Sequence, residues 1–169
     1  MSDELFNESE RELIDAAKMI LSDGVRRLKT RDRLFKTNAT RTPAERREIT
    51  QARGVLVDHL VATYGPLRHE VAAVILVDAQ GRLIALRDFP KGRATSCEVR
   101  AAILAEYIIA AGAASVILVH NHPSGDGSPS SQDAAMTQAY KAWLAFMDVT
   151  LIDHLVITLD GASSIRGEF

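Results

Sequence analysis

"VILVHNHPSGDGSPSSQD", residues 116–133, runs from an apolar segment through two histidines into a loop of Pro, Ser and Gly, and closes on an aspartate. Taken with the residues before it, "ASVILVH" (114–120) is a continuous apolar run bounded by turn residues. It reads as a strand buried on both faces. Working outward, "SSQDAAMTQAYKAWLAFM" (130–147) reads as a helix and "TLIDHLVITL" (150–159) as a further strand. Residues 160–166 read as a turn and a short edge strand. On the other side, "VAAVILVD" (71–78) and "RLIALRDF" (82–89) are apolar runs split by "AQG", a β-hairpin signal. "EVRAAILAEYIIAAGA" (98–113) is an Ala/Ile-rich helix. A hairpin followed by alternating helices and strands predicts an α/β (α+β) fold, a mixed β-sheet flanked by helices.

Before the sheet come two helix signatures. In residues 9–22, Ser9 and Glu12 form a capping-box pair, and Leu13, Ala16, Ala17, Ile20 and Leu21 share one face. Further on, Thr42 is an N-cap, Pro43 takes the first helical position and Glu45 follows three residues after the cap. That second helix carries Ile49, Ala52, Leu56 and Leu60 inward and ends at Gly65–Pro66. The chain therefore divides into an N-terminal helical region, 1–66, and a sheet domain, 67–169. The apolar faces of those helices have two places to go, the domain itself or a second subunit.

Apolar residues make up 47% of the 169 and charged residues 25%, the balance of an ordinary globular protein. A formal charge of −2 gives no global argument for nucleic acid. Residues 24–53 depart from this, with ten Lys or Arg against three acids. We read that stretch as a solvated face or a docking surface, with a footprint for phosphate backbones as the alternative. Cys97 is alone, which excludes an internal disulfide and fits a reducing compartment. The opening "MSDELFNESEREL" is acidic and has no apolar core of a signal peptide. No apolar run reaches the roughly 20 residues that span a bilayer. These features predict a cytoplasmic protein with no membrane partner.

Alternate residues of a strand point the same way, so His120 and His122 share a face. Two imidazoles at the end of a buried strand suit a metal. Catalytic zinc takes three protein ligands and keeps one position open, and Asp133 becomes the third if the loop folds back. Each residue also has a plainer use. H-x-H alone is a weak signal, and Ser130 with Asp133 makes an S-x-x-D capping pair at a helix start.

The spacing is more telling. His120-x-His122-Pro123, then Ser130-x-x-Asp133 with ten residues between the second histidine and the aspartate, resembles the JAMM motif of JAB/MPN metalloprotease-like domains. The longer "HNHPSGDGSPSSQD" is similar to the RadC-like branch of that family, over about residues 54–166 and including "LIDHLVI". The resemblance implies a cytidine-deaminase-like JAB/MPN fold and one Zn2+ held by His120, His122 and Asp133. It further implies an upstream glutamate as general base. Glu70 stands where the family has it, with Glu98 and Glu106 as rivals in the helix that follows. Ser130 matches the serine that faces the oxyanion of the tetrahedral intermediate. The implied activity is that of a zinc metallopeptidase or isopeptidase acting on an amide bond, with an association with DNA repair.

The chain departs from the family at "SCEVRAAI" (96–103), where RadC-like domains often carry His-Pro-Arg-Glu. It also has no glycine-rich hairpin between its two N-terminal helices, so DNA binding is not carried over. A nucleic-acid-binding accessory module using residues 24–53 stands as the alternative. A zinc deaminase is excluded by the missing P-C-x-x-C ligand pair. Cys97 has no motif partner as a nucleophile. We read His154 as a satisfied structural histidine, with a place behind the ligands as the alternative, and His59 and His69 as surface residues.

Overall fold

One parallel pairing among three antiparallel ones makes the sheet mixed, as the alternation of strands and helices predicts. The computed structural model describes residues 43–79, 81–89 and 99–166, with side chains from residue 53 onward. The predicted helix at 9–22, Cys97, Glu98 and residues 24–42 of the basic stretch lie outside the described residues. In chain order the elements are α1 (Pro43–Tyr64), β1 (Ala72–Val77), β2 (Leu83–Asp88), α2 (Ala101–Ala111), β3 (Ser115–Asn121), α3 (Ser131–Phe146), β4 (Thr150–Ile157) and β5 (Ala162–Ser164). The sheet order is β2-β1-β3-β4-β5. The one parallel pair, β3 with β4, needs a crossover, and α3 supplies it.

Strand alternation divides the core into two layers. Ala72, Val74, Leu76, Val116 and Leu118 face one side, where they meet Leu104 and Ile108 of α2 and Leu144 of α3. Ala73, Ile75, Ile117, Val119, Leu155 and Ile157 face the other, where Leu60 and Tyr64 of α1 cover them. β1 and β3 are buried along their whole length, as continuous apolar runs require. The last turn of α1 sits hard against the end of β4. A Cβ on Gly65 would stand 2.6 Å from the Val61 carbonyl and 2.9 Å from that of Thr158, so only glycine fits there.

Alternation fails within β4, and the failure matters. Val116 pairs with Leu151 but Ile117 pairs with Asp153, so the register slips by one residue at Ile152. A bulge of this kind turns all later side chains to the opposite face. Leu151 and His154 therefore point to the same side, that of α2 and α3. The slip is held in place by the end of β5 and the residues that follow it. The Arg166 guanidinium donates to the carbonyls of Leu151 and Ile152. The buried Asp153 accepts from Ser164 Oγ at 2.6 Å and from the Arg166 N–H at 3.1 Å.

Candidate metal centre

His120 sits near the end of β3 on the face covered by α3. His122 follows it on the same side, and its N–H continues the ladder to the Ile157 carbonyl at 2.8 Å. The loop from Pro123 then returns, and α3 begins at Ser131 with Ser130 as its N-cap. The capping box is complete. Ser130 Oγ accepts the Asp133 N–H at 3.1 Å, and Asp133 Oδ2 accepts the Ser130 N–H at 2.8 Å. The Ser130 hydroxyl proton also goes to Asp133 Oδ2, at 2.6 Å. The first turn of α3 thus fixes the carboxylate while leaving Oδ1 to face the histidines.

The three side chains meet. His120 Nε2 and His122 Nε2 are 3.0 Å apart, with Asp133 Oδ1 3.2 Å from the first and Oδ2 3.6 Å from the second. One ligand atom from each residue lies within 4.8 Å of the other two, a group able to hold a metal ion. Burial pulls the His120 pKa down to about 4, against the attraction of Asp133 and with further lowering by His122. At neutral pH its contact with Asp133 is therefore not an ion pair. Burial also pushes the Asp133 carboxyl up, but its bonds to the Ser130 side chain and backbone, with the two imidazoles, outweigh that and hold it below the usual carboxylate range.

The donor chemistry fits a divalent cation. His122 Nδ1 lies 2.8 Å from the Asp126 carbonyl oxygen, which only accepts, so in the neutral ring the proton is on Nδ1 and Nε2 presents a lone pair to the centre. That lone pair, the second Nε2 and a carboxylate converge in a space with more acceptor capacity than donors. Two imidazoles and a carboxylate also match the borderline character of zinc.

Glu70 lies just before β1. Ala72 pairs with His120 in the antiparallel ladder, and continuing that register two residues sets Glu70 opposite His122 on the same face. It is exposed, and with the three ligand candidates and Ser130 it lines a pocket of about 290 Å³. Glu106, on α2, is exposed and does not line that pocket.

Two residues in contact with the site were not singled out from sequence. Asn121, between the histidines, points to the opposite face and grips the segment that carries Glu70. It accepts from Val71 N–H and donates to the carbonyls of His69 and Leu67. Thr137 lies one turn beyond Asp133 and contacts His154. His154 is a buried histidine with both ring nitrogens partnered, and one of those partners places it directly behind a ligand candidate. Its Nε2 lies 2.8 Å from His120 Nδ1, and burial lowers its pKa to about 3, with His120 adding to the effect. His69 is exposed, and the half-buried His59 contacts Thr63 one turn on in α1.

A family model described as the RadC-like JAB domain matches residues 54–168. The chain belongs to that family. Relatives of this RadC-like JAB domain include UPF0758 proteins of Polaromonas sp., 43% identical over 64% of this chain and 48% of the relative, and of Psychromonas ingrahamii, 42% over 58% and 44%. The UPF0758 protein of Variovorax paradoxus is 36% identical over 71% of this chain and 55% of its own length. The chain thus spans about half the length of the curated relatives it matches. The RadC-like JAB match begins within α1, the helix whose Leu60 and Tyr64 close one side of the core. Among the described residues no helix is long and apolar enough to cross a membrane.

Proposed function

We propose that this RadC-like JAB domain is a zinc-dependent hydrolase of amide bonds, acting on a peptide or isopeptide. The observation that carries the reading is the convergence of His120, His122 and Asp133, with Glu70 on the wall of the same small pocket. A zinc ion bound by that set supplies Lewis acidity, polarising a carbonyl and making a water easy to deprotonate near pH 7. Glu70 takes the proton of the attacking water and returns it to the leaving nitrogen. Its exposed position at the mouth leaves it free to serve both partners. The Ser130 hydroxyl turns from Asp133 to donate to the developing oxyanion, a contribution of about 3 kcal/mol for such a donor. His122, held through Nδ1 by the loop, and Asp133, held by the helix cap, keep their places without help from substrate. A pocket of about 290 Å³ is at the small end for ligand sites, which suits one scissile link and its neighbours better than a bulky metabolite.

The test is metal content, then turnover. Wild type is expected to hold one zinc per chain and His122→Ala to lose it while staying folded. On a panel of peptide and isopeptide substrates, Glu70→Gln is expected to retain zinc and lose hydrolysis. Equal zinc in His122→Ala would remove the ligand assignment. Undiminished turnover in Glu70→Gln would remove Glu70 as the base.

A further inference from the structure

We propose that Thr137 and His154 are positioning residues that fix which nitrogen of His120 carries its proton, so that an unprotonated Nε2 faces the metal centre. This rests on the metal-site reading above. The route is a chain of three contacts. Thr137 Oγ1 lies 2.6 Å from the Asp133 carbonyl oxygen and 2.7 Å from His154 Nδ1. His154 Nε2 lies 2.8 Å from His120 Nδ1. Thr137 is 0% exposed, His154 1% and His120 5%, so bulk water does not reorder the chain.

The direction of each bond follows from counting protons. A threonine hydroxyl has one proton, and the carbonyl of Asp133 can only accept. Two oxygens 2.6 Å apart with no proton between them repel, so the Thr137 proton goes to Asp133. Toward His154 the same oxygen is then an acceptor, and His154 Nδ1 must carry hydrogen. In neutral His154 the other nitrogen accepts, so His120 donates from Nδ1. That leaves His120 Nε2 as a lone pair, pointing at His122 Nε2 and Asp133 Oδ1.

Two local features build the chain. The slip at Ile152 turns His154 to the side of His120 and α3; an unbroken alternation would have aimed it at α1. Helix spacing sets Thr137 one turn from Asp133 on the same face of α3. The helix residue that offers a carboxylate to the metal thereby also offers the carbonyl that starts the relay. Fixing a ligating imidazole through its other ring nitrogen typically changes metal affinity by about 10- to 100-fold.

The test compares Thr137→Val with Thr137→Ser. The valine has the shape of threonine but no hydroxyl, so the chain is free to reverse, and His120 then puts its proton on Nε2. The experiment has two readouts, neither needing substrate. Histidine side-chain 15N spectra of metal-free protein at pH 7 report the tautomer of His120, and chelator competition reports zinc affinity. Wild type and Thr137→Ser are expected to show Nδ1–H on His120. Thr137→Val is expected to show Nε2–H and to bind zinc about 10- to 100-fold more weakly. A wild-type spectrum with the proton on Nε2 overturns the proposal, and it does so even if Thr137→Val fails to fold. Wild-type zinc affinity in a folded Thr137→Val does the same. A wild type that binds no zinc at all would sink the metal-site reading, while the spectrum would still report on the relay.

Discussion

Asn121 Oδ1 accepts the Val71 N–H at 2.7 Å, so the strand end that positions the two histidines also holds the segment that carries Glu70. The same amide donates to the carbonyls of His69 at 3.1 Å and Leu67 at 3.4 Å. Asn121 is 1% exposed, while the segment it binds is only part-buried, with His69 exposed. Asn121→Ala is expected to lower the unfolding free energy by about 1–2 kcal/mol, from one part-buried donor and two acceptors that lose a partner. Hydrolysis through Glu70 should fall further than zinc affinity, because all three ligands keep their own supports. Urea unfolding and chelator competition on the same preparation separate the two effects. A variant as stable as wild type would mean that residues 67–71 are held by other contacts.

Ser130 binds Asp133 through both its backbone and its hydroxyl, so its loss acts on the helix and on the ligand together. Ser130→Ala is expected to cost about 1 kcal/mol as a lost N-cap. It should also raise the Asp133 carboxyl toward its ordinary range, since the serine bonds are what overcome burial there. Carboxyl 13C titration of Asp133 in metal-free protein reads the second effect apart from the first. Ser130→Thr keeps an oxygen in place and should restore much of both. No movement of the Asp133 titration in the alanine variant would show that the Ser130 backbone N–H and the imidazoles hold the carboxylate charged without the hydroxyl.

Much of this was legible in the residues, and what was missed has identifiable physical causes. Helix and strand limits from Pro43 onward fall within a few residues of where capping, glycine and apolar runs set them. The strand period and the loop that returns to a helix start made the meeting of His120, His122 and Asp133 plausible, and the spacing that resembles the JAMM motif decided it. The slip at Ile152 left no trace, because the apolar residues of β4 are buried on both sides, Leu151 on one and Leu155 and Ile157 on the other, so alternation does not mark which way the strand turns. Without the slip, the direction of His154 could not be known, and it read as a histidine satisfied somewhere in the core. Asn121 looked like a spacer because its partners are backbone atoms about fifty residues away. Thr137 looked like one more helix residue, since a threonine in mid-helix announces neither its proton nor its neighbour.

The buried histidines make the metal-free protein sensitive to acid. His120 and His154 have pKa values near 4 and near 3, below the 6.5 of an exposed histidine. Between those limits the unfolded chain takes up protons that the native state refuses, so stability rises with pH across the window and falls as pH drops through it. Asp133 acts in the same direction but lower, because a depressed carboxylate loses its contribution only below about pH 4. From pH 7 to pH 4.5 the unfolding free energy is expected to fall by on the order of 2–3 kcal/mol, treating the two coupled rings as one unit. Urea unfolding in the presence of a chelator at pH 7, 6, 5 and 4.5 checks this. A flat profile would mean that the rings are not kept neutral by the fold.

Zinc should push stability the other way, and by an amount that concentration sets. A ligand that binds only the native state adds about 2.7 kcal/mol at one hundred times its Kd. Wild type is expected to show that increase in urea unfolding, and addition of chelator should reverse it. Asp133→Asn isolates the charge. Its carboxamide oxygen still accepts the Ser130 N–H, so the helix cap survives. It also relieves the crowding of acceptors around the two Nε2 atoms by offering N–H donors. The metal-free variant should therefore be about as stable as wild type, within roughly 1 kcal/mol, while the increase from zinc largely disappears. If Asp133→Asn is stabilised by zinc as strongly as wild type, the carboxylate is a helix cap and nothing more, and the metal set loses its third member.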